Sequence, residues 1–376
     1  MNSLFFELLQ VSIGNRECLS CSPSANEWMS LYTIAKAQTM IGIAFNGLRR
    51  LPQEQTKALP KSLKMQWLGL VVQIQKRNEI INVRCVELQR RLAGDGIRSC
   101  ILKGQGVAAL YGTDLSLLRQ SGDIDLYVDS NYKGVLEYLL RKNVSYSHWD
   151  YLHVDSKFYE DVEIEMHYKP SVMRNLISNY RFQRFVDLNK EAFFSGYVNV
   201  GGSEEKVVVP ESWMNVFYLL NHTFRHLLTE GVGLRQVMDC YYAIATSNLS
   251  DCDRKKLTNA VEKFGMKRFA KGLVCVIEEV FLAGNVEEFR IVSPWKGNVK
   301  EGKFILHEIM LGGNFGHSDN RYKQGKGKTG KLQKVFRRSI HLFTHYPSEA
   351  FAAPFYYGWH FCLSLIHISE PTRPEP

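Results

Sequence analysis

A short apolar run that opens with two carboxylates one residue apart places the strongest constraint on how this chain folds. It reads RQSGDIDLYV over residues 119–128. Because side chains alternate between the faces of a strand, Asp123 and Asp125 point one way and the apolar residues after them point into a core. Neighbouring acids repel each other, and proteins tolerate this cost where a cation lies between them. The run therefore predicts a strand that offers oxygen ligands to a hard divalent ion such as Mg²⁺.

The alternative is a strand that starts from a polar turn with two solvated acids, because D-x-D is a short pattern. Two other segments favour the ion site. A short predicted strand leads into Lys103-Gly104, where glycine lets backbone N–H groups approach a phosphate and the lysine neutralises it. Residues 162–168 alternate strictly between apolar and polar side chains. This pattern predicts a strand with Glu163, Glu165 and His167 on one face, and it offers Glu165 as a third carboxylate.

The order of predicted elements gives an α+β chain, in which a mixed core lies between two helical regions. In the first region, Ser24 is a predicted N-cap, an apolar stripe runs from Trp28 to Ala44, and a long helix follows over about 62–92. The predicted regions are a helical one at 1–95, a mixed one of sheet and helices at 96–209 and a second helical one at 210–362. The last of these includes a basic loop at 321–338 and a helix at about 331–343. Residues 363–376 resemble translated sequencing-adapter DNA, and we expect this tail to be non-native.

Charge and composition limit the partners without choosing among them. The net charge of +9 favours anionic partners, which include nucleotides, nucleic acids and membrane surfaces. Eight Lys or Arg residues and no acid lie in 321–338, and a solvated surface run is the favoured interpretation of that segment. The cysteines are scattered, with one C-x-x-C at Cys18 and Cys21, so we expect reduced thiols and a cytoplasmic location. No apolar run has the length of a membrane span.

Four segments together resemble a known family. They are LKGQGVAALYGTDLSLLRQSGDIDLYV (102–128), EIEMHYKP (163–170), NHTFRHLLTEGVGLRQVMD (221–239) and GGNFG (312–316). In this pattern the chain resembles the uncharacterised bacterial nucleotidyltransferase family of the DNA polymerase β-type superfamily. The resemblance extends over about residues 25–355. It implies a polymerase β-type nucleotidyltransferase core flanked by helical regions.

The resemblance also implies an activity and a set of roles. The expected reaction transfers an NMP from an NTP such as ATP to an unknown hydroxyl acceptor, with two Mg²⁺ or Mn²⁺ ions as cofactor. Asp123, Asp125 and Glu165 fall on the catalytic, metal-binding carboxylates of the superfamily. The expected nucleotide- and phosphate-binding residues are Lys103, Gly104, Arg119, Ser121, Gly122 and His167. Lys103-Gly104 departs from the Gly-Ser or Gly-Gly that the superfamily usually has in its phosphate loop.

The sequence allows more than one role for several of these residues. Arg119 either clamps phosphate or forms a surface ion pair, and His167 either contacts phosphate, orients Glu165 or is a satisfied histidine beside the sheet. His222 and His226 have metal-ligand spacing, but Thr223 replaces the Glu of HExxH, so core or supporting roles are favoured. Arg235 and Asp239 are spaced to pair with each other on a helix, or Arg235 reaches into the cleft.

Two other functions stay open. The departure of Lys103-Gly104 from the usual phosphate-loop sequence is compatible with a non-catalytic nucleotide-binding or interaction module on the same fold. The basic run 321–338 is compatible with a nucleic-acid-binding protein, which is the less favoured alternative.

Overall fold

The acidic run lies in a five-stranded mixed sheet. The structure, a computed structural model, describes residues 2–201, 205–316, 321 and 336–369. The strands are β1 (Ser99–Ile101), β2 (Ile124–Val128), β3 (Tyr146–Trp149), β4 (His153–Ser156) and β5 (Ile164–His167), and a separate hairpin pairs β6 (Gly196–Asn199) with β7 (Lys206–Val209). The spatial order is β1-β2-β5-β4-β3, in which β2 and β5 are parallel and the other neighbours are antiparallel.

Helices make up most of the rest of the described chain, so the α+β prediction is confirmed. They are α1 (Asn2–Ile13), α2 (Ala25–Ala37), α3 (Ile41–Arg50), α4 (Gln53–Thr56), α5 (Lys61–Gly94), α6 (Gln105–Ala108), α7 (Thr113–Ser116), α8 (Tyr132–Arg141), α9 (Leu176–Leu188), α10 (Ser212–Thr229), α11 (Leu234–Ala245), α12 (Asp251–Lys263), α13 (Lys267–Phe281), α14 (Val286–Val292) and α15 (Val299–Gly312). Residues 336–342 and Pro347–Ser369 are also helical.

The apolar stripe that was predicted from Trp28 to Ala44 is wrong as a single helix. Ser24 caps α2 in a capping box with Glu27, as predicted, but α2 ends at Ala37 and α3 begins at Ile41. Thr39 between them has a φ of 53°, which a continuing right-handed helix does not allow. The buried Gln38 side chain explains this break, because it donates to the Ile309 carbonyl and accepts from the Leu234 N–H.

The long helix α5 covers the apolar face of the sheet. Its 34 residues match the predicted helix closely, and Gly96, with a φ of +77°, follows its end. Ile81, Cys85 and Leu88 pack in one buried cluster with the inward residues of β2 and β5. Tyr127 of β2 packs instead against Phe193 and Phe194, on the opposite face. Both faces of β2 are therefore covered, and its apolar residues alternate as the sequence predicted.

Some predictions fall on segments outside the described residues. Most of the basic loop, at 322–335, lies there, and so do residues 370–376 of the adapter-like tail. Residues 363–369 of that tail continue the helix Pro347–Ser369. Of the helix predicted over 331–343, residues 336–342 are described and helical. Among the described helices, none combines the length and the apolar character that crossing a membrane requires.

Candidate active site

The strand register brings the three predicted carboxylates together. Asp125 and Glu165 are direct partners across the parallel pair of β2 and β5, so their side chains share a face. Asp123 precedes β2 by one residue and lies on the same side. Carboxylate oxygens of Asp123, Asp125 and Glu165 all lie within 4.8 Å of one another. The cluster that the sequence predicted therefore exists.

Two cationic side chains contact Asp125, which is only 1% exposed. The Leu102 N–H donates to the Asp125 carbonyl, and this contact places Lys103 beside β2. Lys103 Nζ lies 2.9 Å from Oδ1 of Asp125, and His167 Nε2 lies 3.2 Å from the same oxygen. Burial alone raises the pKa of the Asp125 carboxyl, but the charges of Lys103 and His167 outweigh it and hold that pKa well below its usual value.

His167 bridges two of the acids, because its Nε2 is also 3.2 Å from Oε2 of Glu165. Burial lowers the pKa of His167, but its hydrogen bonds to Asp125 and Glu165 raise it to about 9. A single ring nitrogen of His167 therefore contacts both carboxylates. Burial, together with the negative charge of Asp125, raises the pKa of Glu165 to about 7 in spite of His167. The cluster thus contains three acidic side chains and two basic ones.

The cluster retains an unused ligand atom. Oδ2 of Asp125 is buried and has no hydrogen-bond partner among the residues that the structure describes. A buried carboxylate oxygen without a partner is costly, and such atoms usually indicate a missing water or ion. Three carboxylates are also the donor set that a hard divalent ion prefers. The residues present therefore fit a bound Mg²⁺ or Mn²⁺.

The loop before β2 is held by a buried ion pair. Arg119 donates from Nε and from one terminal nitrogen to the two oxygens of Asp239, each at 2.7 Å, and from the other terminal nitrogen to Ser121 at 2.9 Å. Arg119 is 5% exposed and Asp239 is 4% exposed, so the alternative of a surface pair is wrong. The predicted pairing of Asp239 with Arg235 is also wrong, because Arg235 donates instead to the Gln120 carbonyl at 2.6 Å.

The helix α5 fixes the same loop from the other side. The Asn78 amide donates at 2.7 Å to the carbonyls of both Leu117 and Arg119. Arg77 donates to the Gly122 carbonyl at 3.0 Å. The backbone that carries Ser121, Gly122 and Asp123 is therefore anchored by side chains rather than by a regular element.

A cavity of about 270 Å³ opens beside the acids. Its lining residues are Thr39, Lys103, Gly104, Arg119, Gln120, Ser121, Gly122, Asp123, Asp125, Leu219, His222, Thr223, Arg235, Gln236, Asp239 and Asn314. Most of the predicted site residues are among them, and Glu165 and His167 adjoin the cavity through Asp125. Gly104 has a φ of +60°, which favours glycine at this point of the wall. A larger cavity of about 370 Å³ elsewhere contains none of the predicted site residues.

Residues from both helical regions complete the cavity, and the sequence did not point to all of them. Asn314 belongs to the GGNFG segment, whereas no local signal distinguishes Thr39. His222 is buried and lines the cavity, and burial together with neighbouring charges holds its pKa well below the usual value, so it is neutral. His226 lies behind it on α10 with ring centroids 4.4 Å apart. Both histidines are therefore buried on α10, which agrees with the core or supporting roles that were favoured because Thr223 replaces the Glu of HExxH.

The site also includes a histidine that the sequence did not single out. His153 on β4 is the direct partner of His167 across the antiparallel pair of β4 and β5. Nothing in the sequence indicated the register of β4 against β5. Only the register shows that His153 joins the face that carries Glu165 and His167.

These features define a class of protein: an α+β chain with a three-carboxylate cluster on adjacent strands, beside a cleft that holds a lysine. A family model described as "Uncharacterised nucleotidyltransferase" matches residues 24–282, and the chain belongs to this family. The resemblance in the sequence is confirmed at that level. A solved structure that is similar in part is described as an antigenic nucleotidyltransferase-like protein from Paracoccidioides brasiliensis. It is 15% identical, with 48% of this chain and 87% of that chain covered and a TM-score of 0.32. No curated protein sequence matches the chain.

Proposed function

We propose that this protein is an Mg²⁺-dependent nucleotidyltransferase with a polymerase β-type core, which transfers an NMP from an NTP to a hydroxyl acceptor. One observation carries the proposal: Asp123, Asp125 and Glu165 converge within 4.8 Å, with an unpaired oxygen of Asp125 in the cluster. Family membership supports nucleotidyl transfer as the chemistry.

Asp123, Asp125 and Glu165 would hold the divalent ions. When bound, a pair of ions supplies charge neutralisation for the triphosphate and the leaving pyrophosphate, and it lowers the pKa of the acceptor hydroxyl. The unpaired oxygen of Asp125 is the feature of the cluster that such ions satisfy.

The chain's own residues orient the reactants. In the transfer, the acceptor oxygen forms a bond to the α-phosphorus, the bond from that phosphorus to its bridging oxygen breaks, and pyrophosphate leaves. Glu165 accepts the proton of the acceptor hydroxyl. Lys103 and the Gly104 backbone contact the phosphates from one side of the cavity.

The loop of Ser121 and Gly122 contacts the phosphates from the opposite side. Arg119 lines the cavity, but all three nitrogens of its guanidinium group already donate hydrogen bonds to Asp239 or Ser121. We therefore assign Arg119 to shaping the phosphate-binding loop rather than to a separate phosphate clamp. His167 orients Glu165 and Asp125 through the two hydrogen bonds of its Nε2.

The test is a transfer assay with all four α-labelled NTPs, Mg²⁺ or Mn²⁺, and a panel of hydroxyl acceptors. Asp123 is half-buried, and its side chain forms no hydrogen bond or ion pair with the residues that the structure describes. Asp123→Asn is therefore expected to abolish label transfer and pyrophosphate release while the protein stays folded. Glu163→Gln is the matched control, because Glu163 is an exposed acid at the start of β5, and this variant should keep full activity. Undiminished turnover by folded Asp123→Asn would refute the proposal.

A second function rests on a specific contact. Lys103 and His167 both occupy Oδ1 of Asp125, so part of the acid cluster is neutralised by the protein itself. This arrangement favours a nucleotide-binding module on the same fold that does not carry out transfer. Such a module binds NTP without releasing pyrophosphate, and pyrophosphate formed with any acceptor excludes it.

A further inference from the structure

A second set of metal-ligand atoms lies next to the three carboxylates, toward β4. His153 and His167 are direct partners across β4 and β5, and Glu165 lies two residues before His167 on the same face. One ligand atom from each of His153, Glu165 and His167 lies within 4.8 Å of the other two. The two imidazole rings have their centroids 4.8 Å apart at an angle of 44°.

Both imidazoles have an unused nitrogen. Nδ1 of His153 and Nδ1 of His167 are buried, and neither has a hydrogen-bond partner in the described part of the chain. Nδ1 of His153 lies 3.6 Å from a carboxylate oxygen of Asp150, which is beyond hydrogen-bonding distance. His167 is itself 95% buried, with a residue exposure of 5%. Two unpaired buried nitrogens on adjacent rings are a cost that a shared ligand removes.

The surroundings of His153 are those of a metal-binding imidazole. Its Nε2 lies 3.2 Å from a carboxylate oxygen of Asp155, which fixes the ring orientation. Histidines that bind metals usually have such a carboxylate on the second ring nitrogen.

We propose that His153, Glu165 and His167 form a second cation site, for a borderline divalent ion such as Zn²⁺, Mn²⁺ or Co²⁺, which shares Glu165 with the carboxylate cluster. Two imidazoles and one carboxylate suit these ions, whereas Mg²⁺ prefers oxygen ligands alone. Three protein ligands leave further positions open on the ion. The site does not depend on nucleotidyl transfer, because it requires only that these three side chains bind an ion.

The test is a Co²⁺ titration of the full chain after chelator treatment, read by the visible absorption of Co²⁺ in the presence of millimolar Mg²⁺. We expect a saturable absorption change that Zn²⁺ abolishes. His153→Ala should weaken Co²⁺ binding at least about tenfold, since even the loss of a supporting residue costs 10–100-fold. His307→Ala removes an exposed histidine elsewhere and should leave the titration unchanged.

Asp123→Asn separates this site from the proposed transfer site. It should leave Co²⁺ binding intact even though it is expected to stop NMP transfer. Co²⁺ binding that disappears in Asp123→Asn and persists in His153→Ala would overturn the proposal, and so would the absence of any absorption change in the wild-type protein.

A measurement on the wild-type protein makes the test independent of whether His153→Ala folds. Zinc K-edge X-ray absorption of the Zn²⁺-loaded chain should show the multiple scattering of two imidazole ligands. A coordination shell of oxygen atoms without imidazole would contradict the site.

Discussion

At the scale of single residues, the alternation of side chains predicted that Asp123 and Asp125 share a face and offered Glu165 as a third carboxylate. The family resemblance then assigned all three to one cluster. The ionic partners were not predictable in the same way. The contact of Lys103 with Asp125 depends on how β1 pairs with β2, and the pair of Arg119 and Asp239 joins residues 120 positions apart. Sequence spacing favoured the local partner Arg235 for Asp239, and the tertiary fold overrode it.

The ion pair of Lys103 with Asp125 gives a prediction about stability. Lys103→Met leaves a buried carboxylate with one cation fewer, so the free energy of unfolding should fall by about 2 kcal/mol. This is less than the roughly 3–5 kcal/mol of a fully buried pair, because the Lys103 side chain is 23% exposed. Denaturant unfolding at neutral pH and without divalent ions measures the change.

A double variant controls for the cause of that loss. Asp125→Asn in the Lys103→Met background removes the carboxylate charge that has lost its lysine partner, and it should restore part of the lost stability. If the double variant is less stable than Lys103→Met by the full cost of Asp125→Asn alone, the two side chains are not energetically coupled.

At the scale of elements, the loop before β2 has its shape because α5 and α11 hold it. Asn78 of α5 and Asp239 of α11 bind it from two sides, and neither contact follows from the loop's own sequence. The long helix α5 was predictable from its period and its glycine stop. The break between α2 and α3 was not, since the buried Gln38 contacts that explain it come from distant parts of the chain.

Asp239 gives a prediction about pH at this scale. Burial raises the pKa of its carboxyl, but Arg119 and Tyr111 outweigh burial and lower that pKa below its ordinary value. A lowered folded-state pKa contributes stability that is complete above about pH 4 and is lost as the pH falls through the folded-state pKa. Asp239→Asn should therefore lower stability by about 3–5 kcal/mol at neutral pH and flatten its decline below about pH 4.

Urea unfolding curves at several pH values measure both effects. Asp251→Asn is a suitable control, since Asp251 is an exposed acid of α12 far along the chain from this loop. An Asp239→Asn protein whose stability declines with acid as steeply as the wild type would contradict the assignment.

At the scale of the whole molecule, the cavity is assembled from three parts of the chain. Thr39 comes from the N-terminal helices, Lys103 and Asp123 from the sheet region, and Arg235 and Asn314 from the C-terminal helices. The division into 1–95, 96–209 and 210–362 remains a prediction. The acidic cluster was indicated by the central part of the sequence, whereas the contributions of the flanking helices to the cavity depend on packing.

Gln38 links the N-terminal helices to the C-terminal helices, and a prediction follows for its removal. Gln38→Ala removes two buried hydrogen bonds, at 2.9 Å to the Ile309 carbonyl and at 3.0 Å from the Leu234 N–H. Leaving these groups unpaired should lower the free energy of unfolding by about 1–3 kcal/mol. Gln53→Ala, at an exposed position of α4, should change it little, and equal effects of the two variants would contradict the role of Gln38.

The central claim is that the three acids bind the divalent ion that nucleotide binding and transfer require. Calorimetric titration of Mg²⁺ into the protein with a non-hydrolysable NTP analogue tests it directly, in the wild type and in Asp123→Asn. We expect saturable Mg²⁺ binding in the wild type and binding at least about tenfold weaker in Asp123→Asn. Equal Mg²⁺ affinity in the two proteins, with both folded, would contradict the account.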